Sequence, residues 1–349
     1  MEITFFIGNG FDLSLGLLTR YKDFYNYLTA DDAKNITLSK DNVFLQQIKD
    51  FMEENNDIDV QKDNTKNIDW SDFEKALGAY TINLENTTDG ENYLNNLEEF
   101  RTAFIDYITM EESKFEINKE KASAMFKNLS FHFYKGIRKQ EENTVHDFLK
   151  SSAYVTYNFN FVNFNYTNTL SKIISQTKTI DDSNSGKYIP NAPIHVHRTL
   201  KTGTLLGVND VSQIANPDIF EANDIRDIIK PEMQSYDDST IVKAIDKKIE
   251  NTQIYVVYGM SMGATDNIWW EKIANQVIKY NKYLIINTHM TVTEKEKANM
   301  QPRYRRKLIE SVENDFVINL NLEEDVKKRL LKRTFVILGS DYIFKHDSI

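Results

Sequence analysis

Short apolar runs alternate with stretches of helical spacing along much of the chain. The first run, Ile3 to Ile7, is β-branched and aromatic, and it stops at a glycine turn that leads into helical spacing. Such a run is typical of a parallel strand that is buried on both faces. Strands that alternate with helices predict an α/β fold with a parallel sheet, which binds ligands at the carboxyl ends of its strands. Further strands are predicted within residues 155–164, 194–196, 204–207, 254–258, 283–287 and 335–338, and the first of these could also be a hairpin.

Residues 43–150 show a different pattern, in which apolar side chains recur every three or four positions, as they do on helices. A polar stretch at residues 55–67 interrupts this pattern and is expected to be a surface loop. We therefore predict a Rossmann-like nucleotide-binding domain that comprises residues 1–30 and 151–349, with a mainly helical insertion at residues 31–150. A length of 349 residues agrees with one large domain that carries an insertion.

The amino-acid composition excludes or argues against several classes of function. The chain contains no cysteine, which excludes disulfides, thiolate zinc sites, iron–sulfur clusters and a thiol nucleophile. Its 42 basic and 52 acidic residues give a net charge of −10, which argues against sequence-indifferent binding to nucleic acid. No apolar run approaches the roughly 18–20 residues of a membrane span, and the start lacks the pattern of a signal peptide. We therefore expect a cytoplasmic protein with no membrane partner.

The first candidate motif is the glycine turn that follows the first strand. Gly8, Asn9 and Gly10 stand between this strand and its helix, where glycines let the backbone approach a phosphate and helix amides favour an anion. The third glycine of a dinucleotide fingerprint is missing, since Leu13 occupies its position. A plain turn from strand to helix, capped by Asp12, is the alternative interpretation.

A second motif ends the strand region near residue 164. Asn165 opens the sequence Asn-Tyr-Thr-Asn-Thr, and its side-chain amide can both donate to and accept from a ribose or an amide. The alternative is an Asx turn that caps the helix beginning near Leu170.

Two histidines form the third motif. If residues 194–198 are a strand, the alternation of His195 and His197 places both imidazoles on one face. Such a pair can bind a metal, or one histidine can act as a general base. We expect no metal, because no third ligand stands at a suitable spacing. A structural role is the alternative for either histidine, and it fits His195 better than His197, which ends the strand.

The fourth motif, Gly259 to Gly263, matches the pattern G-x-S-x-G after a predicted strand. As the elbow of a hydrolase it would use Ser261 as the nucleophile. The acid and the histidine would then come from Asp266 or Asp315 and from His289 or His346. Such an elbow enters its helix at once, whereas the next residues resemble further loop with a cap at Thr265 or Asp266. The alternative is a glycine-rich loop in which Ser261 contacts a phosphate or a ribose.

The four motifs share a position relative to the predicted sheet. Each follows a short strand, and the carboxyl ends of parallel strands lie at one edge, so the four loops converge. A glycine turn, an amide, a histidine and a glycine–serine loop around one crevice fit a nucleotide.

Together these motifs resemble a family of bacterial proteins. The opening stretch contains GNGFDL at residues 8–13 and YKDF at residues 21–24. Later matches are Trp70-Ser71-Asp72-Phe73-Glu74, Phe164-Asn165-Tyr166-Thr167, His195-Val196-His197, and Val257 to Gly263 with Asp266. In this order they resemble the AbiH type of abortive-infection proteins. The resemblance implies defence against bacteriophage, in which an infected cell is sacrificed or arrested. A phage component is one candidate trigger, and the sequence leaves the trigger open.

More distantly, the four motifs resemble sirtuin-like Rossmann domains, and several defence proteins with such domains hydrolyse NAD. The resemblance implies NAD as the substrate or ligand, with no further cofactor required. It implies catalytic roles for Asn165, His197 and Asp12, and ligand contacts for Gly8, Asn9, Gly10, Gly259, Ser261 and Asp266. Arg198 departs from the pattern, which has glycine after the histidine. The zinc module of the deacetylases is also absent, since the chain lacks cysteine.

Other interpretations stay open at this level. The site could bind a nucleotide without turnover, as in a sensor that signals through a partner, or Ser261 could serve a hydrolase. A nuclease would draw on the basic run at residues 303–307, although such a run is usually a solvated helix face. Trp70 and Asp72 are expected as a core residue and a cap, while Glu74 is an alternative to Asp12 for stabilising positive charge. The sequence does not determine the oligomeric state, and a homo-oligomer is one of the open alternatives.

Overall fold

A computed structural model describes residues 1–30, 36, 38–49, 76–150, 155–197, 199–200, 206–208, 210–230, 232–233, 239–262, 266–339 and 344. The expectations for Trp70, Asp72, Glu74, Arg198, Gly263, Thr265 and His346 fall outside these ranges.

A single sheet forms the centre of the described structure. Its strands are β1 (Glu2–Ile7), β2 (Thr156–Asn163), β3 (Ile180–Asp182), β4 (Gly186–Pro190), β5 (Ile194–His195), β6 (Ile254–Tyr258), β7 (Tyr283–Thr288) and β8 (Thr334–Leu338). They lie in the order β3-β4-β2-β1-β6-β7-β8, with β5 paired to the end of β2. The described pairings are parallel except that of β3 with β4. The α/β fold with a mostly parallel sheet is therefore confirmed, and the region near residue 160 is one strand.

Helices fill most of the connections between the strands. They include α1 (Gly10–Ser14), α2 (Tyr21–Thr29), α3 (Thr87–Ser113), α4 (Lys119–His132), α5 (Lys139–Lys150), α6 (Thr169–Gln176), α7 (Ala222–Arg226), α8 (Ser239–Asn251), α9 (Asn267–Tyr280), α10 (Val292–Met300), α11 (Pro302–Val317) and α12 (Glu324–Leu331). The long helix α3 begins after Asn86, whose side-chain oxygen accepts the amide of Asp89 at 3.1 Å. None of the helices in the described ranges combines the length and the hydrophobicity needed to cross a membrane.

Alternating side chains of the strands enter two separate cores. Ile3, Phe5 and Ile7 of β1 join the core under α4, α5 and α6, while Phe6 joins the core under α8 and α9. Burial on both faces is what an apolar run without alternation predicts for a central parallel strand. Helices α4 and α5, which lie within the predicted insertion, therefore cover the sheet directly.

A third core lies among helices away from the two faces of the sheet. Phe24 of α2 and Phe100 and Phe104 of α3 pack together with Leu206 and Ile229. We call the set formed by α2, α3 and residues 206–230 the helical unit. The domain boundaries given above stay a prediction, and this core draws on residues from both sides of them.

The segment at residues 206–230 is held by α3 rather than by the sheet. Arg101 of α3 donates from Nε to the carbonyl of Leu206 at 3.0 Å and from Nη2 to the carbonyl of Asp227 at 2.7 Å. A strand is predicted at residues 204–207, but the described part of this region forms only an isolated parallel bridge, between Val208 and Ile229. The segment therefore joins the helical unit instead of extending the sheet.

Candidate functional site

The two glycine turns at the carboxyl edge of the sheet contact each other directly. The amide of Gly8 donates to the carbonyl of Tyr258 at 2.9 Å, and the amide of Gly10 donates to the carbonyl of Gly259 at 2.9 Å. A β-carbon on Gly10 would lie 2.6 Å from the Cα of Gly259, and one on Gly259 would lie 2.7 Å from the amide nitrogen of Phe11. Contact between the loops therefore requires glycine at both positions.

This contact also occupies several donors of the first turn. Gly8 and Gly10 donate to the turn after β6, and Phe11 donates to the carbonyl of Gly8 at 2.9 Å. The Thr19 hydroxyl donates to Oδ1 of Asn9 at 2.6 Å, while Nδ2 of Asn9 donates to the Thr19 carbonyl at 3.2 Å. The amides of Gly8 and Gly10 thus hold the two loops together and that of Phe11 closes the first turn, while phosphate contacts by this turn stay a prediction.

Asp12 lies in the first turn of α1 and is only 1% exposed. Its carboxylate oxygens accept hydrogen bonds from the hydroxyls of Thr167 at 2.6 Å and Thr169 at 2.5 Å. Burial raises the pKa of Asp12 to about 6, although the two threonine hydroxyls oppose this shift. The N-cap residue of α1 is Asn9, so the interpretation of Asp12 as the cap is wrong. The carboxylate instead joins α1 to the start of α6.

Asn165 follows β2 and reaches across to the first glycine turn. Its Nδ2 donates to the carbonyl of Gly8 at 3.1 Å, and its backbone amide donates to Oδ1 of Asn163 at 3.1 Å. The second bond forms an Asx turn at Asn163, but this turn lies before the helix and does not cap it, since the N-cap position of α6 belongs to Asn168. The buried side chain of Asn165 therefore connects the ends of β1 and β2.

The two histidines near β5 contact different elements. The ring of His195 lies 3.2 Å from Oγ of Ser171 in α6, and burial lowers the pKa of this histidine. His197 is 8% exposed, and its ring packs against Phe164 and Tyr166 at centroid distances of 5.6 and 6.2 Å. Because β5 contains only two residues, the strand alternation that would place both imidazoles on one face does not extend to His197.

His197 is paired with a carboxylate from another loop. Its Nε2 lies 3.6 Å from Oδ1 of Asp266, the residue that precedes α9. Burial by itself raises the pKa of Asp266, but the positive charge of Lys230 and the neighbouring His197 outweigh burial and bring this pKa below its ordinary value. A histidine beside an ionised carboxylate is the arrangement in which an imidazole acts as a general base.

Lys230 is a residue near this pair that no sequence motif indicates. It is 4% exposed, and its backbone amide donates to the carbonyl of Val208 at 2.8 Å within the helical unit. The helical unit meets the sheet edge at Tyr166, which packs in the core of the unit and also contacts the ring of His197. A lysine after two isoleucines carries no signal of its own, so only the tertiary structure brings its charge to Asp266.

Asn287 is a second residue that the motifs miss. It lies at the end of β7, in register with Tyr258 of β6, and it is 3% exposed. Its Nδ2 has no hydrogen-bond partner within the described structure. Buried amide donors without a protein partner are rare, and ligand sites are one place where they occur. The available signal is an asparagine at the end of an apolar strand, which is similar to the signal that identifies Asn165 just after β2.

Ser261 is exposed in the turn after β6. Its neighbour Met262 has a φ of +52°, a conformation that costs energy for a residue with a side chain. No hydrogen bond joins Ser261 to His289 among the residues described, and burial raises the pKa of Asp315 in α11. The described ranges contain no group of three histidine or carboxylate side chains that could hold a metal ion. The described residues thus bring no partner to Ser261 of the kind that a serine hydrolase needs.

These elements define an α/β protein whose polar side chains gather at the carboxyl edge of a mostly parallel sheet. The family model described as bacteriophage abortive infection AbiH matches residues 4–288, from β1 to the end of β7. The chain therefore belongs to the AbiH family, and this part of the expectation from sequence is confirmed. A search of curated proteins finds no match to the chain.

Proposed function

We propose that this protein acts in defence against bacteriophage by binding NAD or a related nucleotide at the carboxyl edge of its sheet and cleaving the bond to nicotinamide. The observation that carries the proposal is the pair formed by His197 and Asp266, 3.6 Å apart, because it joins two strand-end loops around a potential general base. In this proposal the edge is a Rossmann-like site of the sirtuin type. Membership of the AbiH family supports the role in defence.

The proposed reaction transfers water to the ribose of NAD. The bond between the anomeric carbon and the nicotinamide nitrogen breaks, and its electron pair leaves with nicotinamide. Asn165 positions a water molecule at the anomeric carbon, and His197 takes the proton as the new carbon–oxygen bond forms. Asp266 stabilises the resulting imidazolium. The products are nicotinamide, ADP-ribose and one proton.

Lys230 and Asn287 complete the proposed binding site. The pyrophosphate of a dinucleotide needs positive charge or donors, and the amides of Gly8 and Gly10 already donate between the loops. We therefore assign the charge to Lys230, which acts on Asp266 from the helical unit. Nδ2 of Asn287 would donate to a ribose hydroxyl. Asp12 influences this site through the hydroxyls of Thr167 and Thr169.

The test follows free nicotinamide by chromatography, with purified protein and in cells before and after phage infection. We expect infection to trigger NAD loss, and His197→Ala to abolish both this loss and phage protection. His132→Ala is the matched control, because His132 is exposed on α4 and bonds only within its own helix. Intact NAD in infected cells that remain protected would contradict the proposal, as would full protection by His197→Ala.

The same assay separates catalysis from sensing. Lys230→Met should weaken NAD binding about tenfold, and Lys230→Arg, which keeps the charge, should retain most of it. Calorimetry with NAD and with ADP-ribose measures this affinity directly. Saturable binding without nicotinamide release in infected cells would overturn the catalytic part and favour a nucleotide-binding sensor. Unchanged affinity in Lys230→Met would exclude Lys230 from the site.

A further inference from the structure

A separate cavity of about 460 Å³ lies near the amino ends of β1, β2 and β4, away from the carboxyl edge. Helices α4 and α5 form one side of the cavity, and the turn between β3 and β4 closes another. Aromatic rings contribute much of the wall, namely those of Phe131, Phe133, Tyr134, Tyr157, Phe159 and Tyr188, and residues 183–185 of the turn add polar side chains. The cavity is open to solvent on one side, as ligand-binding clefts are.

The aromatic walls are ordered by contacts among themselves. The rings of Tyr157 and Tyr188 stack with centroids 5.0 Å apart and planes 18° apart, and Phe131 lies 4.8 Å from Tyr188. The hydroxyl of Tyr157 donates to the carbonyl of Leu149 at 2.9 Å. A tyrosine oxygen that donates in this way can still accept a hydrogen bond from a ligand. The walls therefore offer ring surfaces together with hydrogen-bond acceptors.

Apart from the tyrosines, the titratable residues that line the cavity are His146 and Lys150, and both lie on its solvent-exposed side. The side chain of His146 is 43% exposed and lies 3.5 Å from Asp147, and Lys150 is exposed at the end of α5. Burial raises the pKa of Tyr157 and of Tyr188, so both hydroxyls stay protonated near neutral pH. The inner walls, formed by Phe133, Tyr157, Phe159 and Tyr188, carry no charge, so an ionised group placed against them would lose water without gaining a partner of opposite charge.

We propose that this cavity binds a small, uncharged heteroaromatic compound, with a ring system the size of indole or a nucleobase. The volume lies within the range of small-molecule sites, which are mainly apolar with a few placed polar groups. Ring-to-ring contacts favour a flat ligand, since aromatic pairs contribute energy beyond the area that they bury. A ring N–H of the ligand donates to the oxygen of Tyr157. The site is independent of the proposed chemistry at the carboxyl edge.

The test uses indole as the probe and measures its binding to the full-length protein by ligand-observed NMR. His146→Trp places a larger side chain at the mouth and should weaken indole binding at least tenfold. The matched control is His132→Trp, since His132 is an exposed histidine on the neighbouring helix α4 that does not line the cavity. We expect this control to bind indole as the unchanged protein does.

A second variant fills the cavity from within. Ser130 is buried on α4 and lines the cavity, so Ser130→Phe should also weaken indole binding at least tenfold, while Ser123→Phe on the same helix should not. Circular dichroism shows whether each variant is folded. The proposal is wrong if the unchanged protein does not bind indole, or if both filled variants bind it normally. Tighter binding of benzoate than of indole would overturn the assignment of an uncharged ligand.

Discussion

The polar side chains at the two ends of the sheet differ in how completely they are hydrogen-bonded to other protein groups. At the amino end, the carboxylate of Glu2 accepts from Nδ2 of Asn158 at 2.6 Å and from Nδ2 of Asn160 at 2.8 Å. Oδ1 of Asn160 accepts in turn from Asn191 at 2.9 Å and from Lys248 at 2.8 Å. This network pairs the charge of Glu2 and the amides of Asn158 and Asn160 with other protein groups.

The carboxyl end is less completely paired. Asn287 keeps an amide donor without a partner within the described structure, and the carboxylate of Asp12 is buried against neutral hydroxyls only. His197 and Asp266 stand 3.6 Å apart, beyond the length of a strong charge-assisted hydrogen bond. The network around Glu2 is thus satisfied by protein groups, whereas the polar groups at the carboxyl end form the incomplete shell expected where a polar ligand binds.

Two asparagines provide the strongest test of this contrast. Asn165→Ala should reduce nicotinamide release between about 100- and 10,000-fold, because the attacking water loses its position. Asn160→Ala should lower the free energy of unfolding by about 1–3 kcal/mol, since it leaves Asn191 and Lys248 without their acceptor. Urea denaturation and the nicotinamide assay measure the two effects.

Asn160→Ala is the control for activity. We expect its rate of nicotinamide release per folded molecule to equal that of the unchanged protein. A loss of activity in Asn160→Ala as large as that in Asn165→Ala would remove the distinction between the two ends. Phage protection by Asn165→Ala at the level of the unchanged protein would also count against the proposed site.

Asp12 gives a test through the pH dependence of stability. Its pKa is about 6 in the folded protein against an ordinary value of 3.8, so the folded state binds the proton more tightly than the unfolded state. Stability from this group is therefore present below pH 3.8 and is lost as pH rises through 6, by about 3 kcal/mol in total. Asp12→Asn should abolish this loss.

The measurement for Asp12 is urea denaturation of both proteins at pH 4.5 and at pH 7. The stability of the unchanged protein relative to Asp12→Asn should fall between these two values. A relative stability that instead rises with pH would mean that the carboxylate is stabilised in its ionised form, as it would be beside a positive charge. Asp12 would then contribute to a charged site directly and not through the threonines.

Asn287 gives the smallest expected effect. Replacement by leucine removes a buried donor that has no partner, so the free energy of unfolding should stay the same or rise by up to about 1 kcal/mol. Loss of one hydrogen bond to the ribose should weaken NAD binding roughly fivefold, which corresponds to about 1 kcal/mol. Calorimetry and urea denaturation check the two parts. Destabilisation by more than 1 kcal/mol would show that the amide has a structural role.

Several features of the site follow from local sequence, and others do not. The glycine turns after β1 and β6 are predicted at their observed positions, because glycine directly after an apolar run indicates the end of a strand. The sequence predicts that these loops converge at one edge of the sheet. It does not predict the direct backbone contact between Gly10 and Gly259, which are far apart in the chain. Asn287 stands at the end of an apolar strand and carries a local signal similar to that of Asn165, so the sequence also indicates it as a candidate site residue.

The amino-acid sequence by itself determined the alternation of strands and helices, the carboxyl-edge position of the four motifs and membership of the AbiH family. These depend on local periodicity and on motifs, which are properties of neighbouring residues. Only the tertiary structure decided that Asp12 is buried under Thr167 and that the charge of Lys230 acts on Asp266. Burial and charge pairing depend on contacts between segments that are distant in the chain, and local sequence patterns do not specify those contacts.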